Sequence, residues 1–372
     1  MTAIACQWSD ALYRNDAERD DIEGLLTSLP AVTVFNSLEW VEAAAEEFET
    51  SRTLLVLTIR DDRHLLGWVP MSVGNEWLHG ICLPVLRLIG YPWSDRVALA
   101  LTPAVEVIQA FLDALSSAPG AWEVAAISEL YDPVEHSRLD AILARHYRNS
   151  YRWRHCSRSP VLTLDVPDLS SLRKSHGKSL AMRLRRAKAK IAKAGSWHVD
   201  RMLPKAEECS QLIDLVKRVE DFSWKGQRGL GIFSSERGES FFRRVATAFA
   251  QRGWLDVSLL YLDDHLISYR FGFRNKGSFL DYNLAFHPDY AAYSPGRLLL
   301  DSIIESSYAD GLNSVDASRS SIDEPHLLAD WTRKAVDHHE LWLYRGVRGH
   351  ALRLLHRYAK PALAALRRKA DG

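Results

Sequence analysis

The second half of the chain contains three apolar runs joined by two short polar turns, and this feature most constrains the fold. The runs extend from Trp254 to Leu262, from His265 to Phe273 and from Ser278 to Phe286, and branched and aromatic residues dominate them. Such residues favour strands, whereas the connections Asp263-Asp264 and Asn275-Lys276-Gly277 have the composition of tight turns. The pattern predicts an antiparallel meander of three strands.

Helices are predicted on both sides of this meander. Apolar residues recur at a spacing of three to four along 212–222 and along 239–251, which is typical of helices that cover one face of a sheet. Further helices are predicted from Arg297 to Ala309 and, shorter, around 324–333, and short strands before and after complete the series. Alternating helices and strands of this kind indicate an α/β (α+β) domain with a mixed, mostly antiparallel sheet.

The first half shows a similar order of elements. A helix is predicted to begin at Asn36, whose side chain can cap it while Glu39 completes a capping box, and a hairpin is predicted over 53–73. The segment 54–67 resembles 259–267, since in both a strand runs into Asp-Asp, a His and a second apolar strand. Chance similarity of two hairpins and duplication of a domain both explain this match, and the shared order of elements favours duplication.

The length and charge of the chain limit the classes of protein to which it can belong. A chain of 372 residues exceeds what one hydrophobic core usually supports, so we predict an N-terminal domain over 1–155, a C-terminal domain over 156–346 and a basic helix over 347–372. Lys plus Arg and Asp plus Glu both number 47, so no net charge attracts nucleic acid. The cysteines are far apart, no signal peptide is recognisable and no apolar stretch is long enough to span a membrane. We therefore expect a reduced, cytoplasmic protein without a metal site.

Several local strings in the second half resemble those of the BioF2-like acetyltransferase family within the GNAT superfamily. These strings are Ser223-Trp224-Lys225 followed by 229–233, the segment 291–300, and Asp316 followed by a late Trp331. The likeness is greatest over 160–346, and 35–40 extends it into the first half. The resemblance implies tandem GNAT-like domains, as in the FemABX aminoacyltransferases, with a degenerate first domain, and a role in cellulose or other exopolysaccharide synthesis.

The resemblance also implies a donor site for acyl-CoA, such as acetyl-CoA, between the strands 278–286 and 314–317. Backbone amides and the helix dipole favour an anion at a helix N-terminus. The helix that opens at 294–297 offers such a place, because Gly296 admits a phosphate close to the backbone and Arg297 adds a charge. An ordinary Pro-Gly turn is the alternative. The predicted cofactor-binding residues are Tyr293, Ser294, Gly296 and Arg297.

Two carboxylates are the predicted catalytic residues. Asp281 lies in the middle of an apolar strand and Asp316 at the end of the next, beside the place that the resemblance gives to the thioester. Acyl transfer needs a group that takes the acceptor's proton, and a charged residue in an apolar strand is costly unless it is paired. Asp281 is the favoured base or acceptor-binding residue and Asp316 is its rival. A structural salt bridge of Asp281 with Arg270 or Arg319 remains open.

The remaining site predictions concern the acceptor. Strand alternation places Asp281 and Asn283 on one face and Tyr282 on the other. Trp224 can stack on a sugar or an acyl chain and Lys225 can hold a carboxylate or a phosphate, although both also suit an ordinary helix end. A lone His is more often structural than catalytic. The predicted substrate-binding residues are Trp224, Lys225, Tyr282, Asn283 and His326.

A helix over 171–194 is strongly basic and has no acidic residue. It indicates either a solvated surface helix or a face that binds nucleic acid or anionic lipid, and the lack of interleaved aromatic residues favours the solvated helix. The basic helix over 347–372 is predicted to pack on its domain, with peripheral membrane contact left open.

Together these features predict an acyltransferase that moves an acyl group from acyl-CoA to the amine or hydroxyl of a small or carbohydrate-linked acceptor. Two alternatives remain open. One is a non-catalytic scaffold of a polysaccharide-synthesis assembly, and the other is a FemABX-like aminoacyl transferase that depends on charged tRNA.

Overall fold

The computed structural model describes residues 3–120, 122–147, 150–166, 168–175, 177–320 and 326–359. The chain divides into two compact units, and the second is inserted into the sequence of the first. The first unit consists of 1–156 and the segment from His338 onward, and the second unit consists of 157–337. Residues 338–344 thus lie with the first unit, because their strand pairs with a strand of that unit. The predicted domain end at 346 differs from this division.

In the described part of the chain, the sheet of the first unit has the strand order β1-β2-β3-β4-β5-β12. Neighbouring strands are antiparallel, except that β4 and β5 are parallel. These strands are β1 (Ala5–Ser9), β2 (Thr53–Arg60), β3 (Leu65–Leu78), β4 (Ile81–Leu88), β5 (Val124–Leu130) and β12 (Ala335–Tyr344).

The sheet of the second unit repeats this order, as β7-β8-β9-β10-β11-β6. Its neighbours are again antiparallel, except that β10 and β11 are parallel. Its strands are β6 (Tyr151–Thr163), β7 (Trp197–Met202), β8 (Leu255–Leu262), β9 (His265–Asn275), β10 (Ser278–Phe286) and β11 (Ser314–Asp316). The matching hairpin sequences occupy equivalent places, β2–β3 in one sheet and β8–β9 in the other. This agreement favours duplication over chance.

Helices flank both sheets, which confirms the predicted fold class. In the first unit they are α1 (Asp16–Ser28), α2 (Leu38–Phe48), α3 (Val105–Ser116), α4 (Pro133–His146) and α11 (Gly346–Leu354). In the second unit they are α5 (Leu169–Ser175), α6 (Gly177–Ala192), α7 (Cys209–Phe222), α8 (Trp224–Gln227), α9 (Glu236–Gln251) and α10 (Pro295–Ala309).

Three predicted helices differ from those in the structure. Ser37 caps α2 by accepting a hydrogen bond from the Trp40 N–H, because Asn36 belongs to a preceding 3-10 turn and bonds the Ala98 carbonyl instead. The helix predicted near 324–333 is a short 3-10 turn over Leu327–Asp330, and 324–325 lie outside the described residues. The C-terminal helix packs on the first unit through the buried Leu352, and the prediction for 360–372 falls outside the described residues.

The basic helix is present as α5 and α6, and it packs rather than standing free. Its apolar side chains Leu180, Leu184 and Ile191 are buried. Lys188 bonds the buried Asp301 of α10 at 2.7 Å, and Arg183 bonds Asp330 at 2.9 Å. The outer face remains exposed and basic, through Arg185, Arg186, Lys190 and Lys193.

The helices that cover the two faces of the second sheet contribute different kinds of side chain. Aromatic rings of α9 pack on one face, where Phe249 and Phe273 lie 5.1 Å apart between ring centroids. On the opposite face, α10 buries Leu298, Leu299 and Leu300. A side chain of β10 or β9 therefore meets either α7 and α9 or α10, depending on the face to which it points.

Candidate active site

A cleft opens in the second unit where β10 and β11 separate. The strands pair only at Ser278–Leu280 and Ser314–Asp316, and β10 then continues to Phe286 after β11 has ended. The cleft has a volume of about 270 Å³. Its lining comes from the start of α8, the second half of β10 and the chain after β11, namely Ser223, Trp224, Lys225, Asp281, Tyr282, Asn283, Leu284, Ala285, Phe286, Ala317, Arg319 and His326. All five predicted substrate-binding residues are among these, together with the predicted catalytic residue Asp281.

A β-bulge interrupts β10 at the cleft. Asp281 lies opposite Gly272 of β9, whereas Asn283 lies opposite the adjacent Phe271, so Tyr282 is the extra residue. A bulge breaks the alternation of side chains and takes a backbone group out of the ladder. The prediction from simple strand alternation therefore fails at this point.

The bulge places Asp281 and Asn283 on opposite faces of the sheet, which corrects the predicted arrangement. Asn283 donates to the Tyr269 hydroxyl, and Asp281 accepts from Arg270. Because Tyr269 and Arg270 are consecutive in β9, their side chains point to opposite faces. The ring of Tyr282 contacts Phe273 on the side of Asn283. Both faces of the sheet thus contribute polar groups to one cleft.

Asp281 is a buried carboxylate with charged partners. It forms an ion pair with the fully buried Arg270, whose guanidinium also donates to the Gly296 carbonyl at 3.0 Å. Burial opposes the charged form, but Arg270 and His326 outweigh it and hold the pKa of Asp281 below its ordinary value. A carboxylate in this state takes up a proton poorly. The salt bridge with Arg270, one of the alternatives open from the sequence, is present.

His326 is held through both ring nitrogens. Its Nδ1 accepts the Leu328 backbone N–H at 3.1 Å, and its Nε2 lies 3.3 Å from the Asp281 carboxylate. Since Nδ1 accepts a hydrogen bond, this arrangement assigns the ring hydrogen to Nε2, which donates to Asp281. In this conformation neither nitrogen is placed to take a proton from a substrate.

Lys225 is positioned by a buried hydrogen-bond network. Its Nζ donates to Asn283 Oδ1 at 2.8 Å. Asn283 Nδ2 donates to Glu220 Oε1 at 2.8 Å and to the Tyr269 hydroxyl at 2.9 Å. Glu220 also accepts the Phe233 N–H at 2.8 Å, and burial together with Glu220 raises the pKa of Tyr269 well above its ordinary value. The network brings two predicted substrate residues, Lys225 and Asn283, into direct contact.

Glu220 and Tyr269 were not predicted from the sequence. A signal was present for Glu220, because it continues the apolar stripe of α7 one turn after Val216 and is buried with it. A carboxylate on such a stripe requires a hydrogen-bonding partner. Tyr269 lies in an ordinary strand pattern and gives no comparable signal.

Trp224 lies at the rim of the cleft, with 49% of its surface exposed. It begins α8, which Ser223 caps by accepting the Gly226 N–H. The guanidinium of Arg228 lies 5.7 Å from the centre of the indole ring. An exposed indole beside a cleft can stack on a planar or apolar part of a ligand.

Asp316 does not line the cleft. It pairs directly with Leu280, so it lies on the face opposite Asp281, and its carboxylate accepts the Ser318 N–H at 2.8 Å. The structure therefore does not bring the two predicted catalytic carboxylates together.

At the start of α10, several of the groups that were predicted to bind a phosphate already have partners within the protein. Ser294 has a left-handed backbone (φ 57°), and its carbonyl accepts the N–H groups of Arg297 at 3.0 Å and Leu298 at 3.3 Å. Arg297 is paired with Asp330 at 2.5 Å. Tyr293 is partly buried against an apolar cluster that includes Leu298 and Leu299. These contacts leave few donors of the first turn for a ligand.

Gly296 has a packing role in the structure. A Cβ at this position would lie 2.9 Å from the Leu284 side chain, and the residue is buried. Close packing of α10 on β10 therefore explains the glycine without a phosphate.

Among the described residues, no group of three His, Cys, Asp or Glu side chains is arranged to hold a metal ion. None of the helices in the same part of the chain combines the length and apolar character needed to cross a bilayer.

The comparison with protein families identifies a domain in the second unit. Residues 178–326 match the model described as an acetyltransferase (GNAT) domain. The matched segment contains the cleft, the β-bulge and all of the side chains in its polar network. No curated protein sequence matches the chain.

Solved structures with the same fold cover nearly the whole chain. FemX has 11% identity and a TM-score of 0.58, covering 91% of this chain and 97% of its own. L-PGS from Bacillus licheniformis has 12% identity and a TM-score of 0.50, covering 86% and 95%. A conserved protein of unknown function from Bacteroides thetaiotaomicron has 10% identity and a TM-score of 0.52, covering 92% and 100%. At these identities the similarity establishes the fold alone.

Proposed function

We propose that the second unit is an acyltransferase whose reaction takes place in the cleft between β10 and β11. The observation that carries this proposal is the cleft itself, which opens at a bulged strand inside the segment matching a GNAT domain. Polar groups converge there on an otherwise apolar sheet, as is typical of ligand sites.

In the described part of the first unit, the cavity at the equivalent place is smaller. Its parallel strands β4 and β5 pair at Val85–Leu86 and Val124–Ala125, and the segment 97–101 lies beyond that point. The Val97 N–H donates to the Glu129 carbonyl of β5, and Ala100 accepts from Trp68 of β3. The cavity lined by 97–100 and the end of β4 has a volume of about 30 Å³. Catalysis is therefore proposed for the second unit alone.

The bulge supplies a physical basis for acyl transfer. The acceptor nitrogen or oxygen attacks the acyl carbon, and the negative charge that develops on the acyl oxygen needs a nearby donor. A backbone N–H that the bulge takes out of the ladder is suited to this role. The thiolate of the donor then leaves with the electron pair of the broken carbon–sulfur bond and takes up the proton that the acceptor nitrogen or oxygen loses.

In this proposal Asp281 positions the site instead of acting as a base. Its lowered pKa and its pairing with Arg270 make it a poor proton acceptor. It holds Arg270 against the start of α10 and fixes His326 at the cleft. The acceptor then reacts as a free amine or a hydroxyl group.

Acyl-CoA is the proposed donor, and a small or carbohydrate-linked molecule is the proposed acceptor. The match to an acetyltransferase domain supports the donor. The exposed indole of Trp224 supports a sugar-containing acceptor, because aromatic faces stack on the apolar faces of sugars. A place in polysaccharide biosynthesis rests on the resemblance of the sequence strings.

An aminoacyl-tRNA donor is the second candidate, and the exposed basic face of α6 favours it. Arg185, Arg186 and Lys190 of α6 and Lys193 directly after it present four cations to solvent. Clustered cations bind the phosphates of nucleic acids in a salt-dependent way. The occupied start of α10 points in the same direction, since it offers few free amides to a CoA phosphate.

Amide hydrogen exchange with and without each donor tests the proposal. Acetyl-CoA is expected to slow exchange at 281–286 and 317–319 and to leave 97–101 of the first unit unchanged. Protection by a charged tRNA, lost when Arg185 and Arg186 are both changed to Glu, would replace CoA with the second candidate. The proposal would be overturned if, in folded protein, these segments were protected by none of acetyl-CoA, longer acyl-CoAs and charged tRNAs. That result would favour a non-catalytic scaffold.

A further inference from the structure

Another cavity lies in the first unit, between the segment that follows α1, the segment 99–103 and the first turns of α4. Its volume is about 80 Å³. Its walls are mainly apolar, through Leu29, Val32, Leu99, Leu101, Ile108 and Leu139. One water molecule occupies at least about 10–15 Å³ of such a volume, so the cavity has room for about five waters or for one small organic molecule.

Water is a poor occupant of this cavity. A buried water typically forms about three hydrogen bonds with protein groups. The segment 29–32 has no polar side chain, and Thr102 is the polar residue of 99–103. An apolar cavity that stays unfilled lowers stability in proportion to its volume, because the atoms of its lining lose contacts. A mainly apolar molecule would therefore fill this space better than water does.

Glu135 places a polar group in this apolar wall. Its two carboxyl oxygens accept the Leu99 N–H at 3.0 Å and 3.2 Å, and within the described residues the group has no other hydrogen bond and no ion pair. Arg138 lines the same cavity but donates to the Pro103 carbonyl at 2.8 Å. Burial raises the pKa of Glu135 to about 8, so the group is mostly protonated at pH 7. Its O–H is then a donor that has no acceptor in the described part of the protein.

Thr102 adds a second polar group to the lining. Its hydroxyl oxygen is shielded from solvent and forms no hydrogen bond with any of the described residues. Buried polar groups normally have partners, so two unsatisfied groups around one cavity indicate a ligand with a polar atom. The other ionisable side chains of the described lining, Asp132 and Arg138, carry opposite charges. The lining as a whole is thus close to neutral at pH 7.

We propose that this cavity binds a small uncharged molecule that is mainly apolar and carries one oxygen atom as a hydrogen-bond acceptor, as a ketone, an ester or an amide does. The apolar walls cover its hydrocarbon part, and its oxygen accepts from Glu135. An anion would leave water for an apolar site without an opposite charge, which is costly, and an ammonium ion would first require Glu135 to lose its proton. The first unit, for which no catalysis is proposed, thus has a binding site of its own.

Three molecules of similar size and different charge test the proposal at pH 6.5. Cyclohexanone is uncharged, cyclohexylamine is a cation and cyclohexanecarboxylate is an anion. Each is titrated into the full chain, and the backbone amide resonances of 99–103 report binding by NMR, with the Leu99 N–H as the reporter closest to Glu135. Cyclohexanone should bind at least about tenfold more tightly than either ion. Tighter or equal binding of an ion, or no binding of cyclohexanone to folded protein, would overturn the proposal.

The affinity for cyclohexanone should also depend on pH. It is expected to fall several-fold between pH 6.5 and 9.5, because Glu135 loses the proton that bonds the ligand as the pH passes its pKa of about 8. Glu135→Gln should bind equally well at both values, since its amide still donates and does not titrate. A fall of the same size in Glu135→Gln would contradict the role of this side chain.

A change in the lining tests the location of the ligand. Ala31→Leu adds bulk to the cavity wall and should abolish the binding of cyclohexanone. The matched control is Ala144→Leu in α4, where the side chain is exposed, and this variant should bind as the wild type does. Wild-type affinity in folded Ala31→Leu would place the ligand elsewhere and refute the assignment.

Discussion

Asp281 and Arg270 form an ion pair that is almost wholly withdrawn from water, with 1% and 0% of their side chains exposed. Removing one member of such a pair leaves the other charged and buried. Asp281→Asn is therefore expected to lower the free energy of unfolding by about 3–5 kcal/mol. Urea denaturation followed by fluorescence measures this loss.

The double variant Asp281→Leu with Arg270→Met is the control for this experiment. It removes both charges and should be less destabilised than Asp281→Asn, since replacing a whole buried pair by apolar groups is often neutral. A single variant as stable as the wild type would show that the pair is not buried in solution.

The ionisation of Glu135 in the first unit is expected to make the stability of the protein depend on pH. Burial raises the pKa of its carboxyl group from 4.5 to about 8, with Asp132 adding to the shift, although the Leu99 N–H donates to it. The folded state thus binds a proton more tightly than the unfolded state between pH 4.5 and 8, so the free energy of unfolding falls as the pH rises through this range.

Glu135→Gln should flatten that dependence, because the amide oxygen still accepts the Leu99 N–H and has no proton to lose. Unfolding midpoints in urea at pH 5.5 and 8.5 provide the comparison. An equal fall with pH in both proteins would assign the effect to other groups.

Single residues of the site differ in how far the sequence reveals them. Asp281 stands out because a charge within an apolar strand requires a partner, and Arg270 was one of two candidates for that partner. The bulge at Tyr282 could not be predicted, since it depends on the pairing of two strands and not on the composition of one. The separation of Asp281 from Asn283 follows from the bulge and was missed with it.

The junction of α7 and α8 is the element that sets Trp224 and Lys225 in place. A Cβ on Gly226 would lie 2.2 Å from the Glu220 carbonyl oxygen and 2.7 Å from the Asp221 Cα, both of which are backbone atoms. Gly226→Ala is therefore expected to destabilise the protein by about 2 kcal/mol or more, as overpacked sites do, and to displace Lys225 from Asn283.

Gly24→Ala is the matched control, because Gly24 lies within α1 and a Cβ there would meet nothing within 4 Å. That change should stabilise the protein by about 0.5–1 kcal/mol. In thermal unfolding, the midpoint temperature should fall for Gly226→Ala and rise for Gly24→Ala. Equal effects of both changes would mean that the junction can relax around an alanine.

Elements with turn residues at both ends were predicted well, and exposed or interrupted strands were not. The hairpin β2–β3 and the meander β8–β9–β10 are present, because Asp-Asp and Asn-Lys-Gly mark their turns. β1 and β7 were missed because they lie at sheet edges and carry few apolar residues. β4 was hidden by Pro84 and Arg87, and the charge of Arg87 is tolerated because it pairs with Glu76 at 2.8 Å.

At the scale of the whole molecule, each sheet is completed by a strand distant in sequence. β12 pairs with β5 in the first unit, and β6 pairs with β11 in the second. The sequence indicated two domains, but no local pattern shows with which sheet a terminal strand will pair. The last strand was therefore assigned to the second domain by proximity in the chain.

A chain that ends after Asp337 tests this assignment. It lacks the buried Leu341 and Leu343 from one core of the first unit and Trp342 and Tyr344 from another. Amide exchange is expected to become fast at 53–60 and 124–130 while 255–286 keeps its protection, which serves as the internal control. Protection of 124–130 in the shortened chain would contradict the pairing of β5 with β12.

The insertion of one unit within the other also orders events during synthesis on the ribosome. β12 is made after every other described strand, so the second unit can form its sheet while the first still lacks β12. At 5–20 residues per second, translation of 157–337 occupies roughly 10–35 s. Throughout that interval the nascent chain exposes the unpaired edge of β5, and this edge is the one most open to wrong partners or to a chaperone.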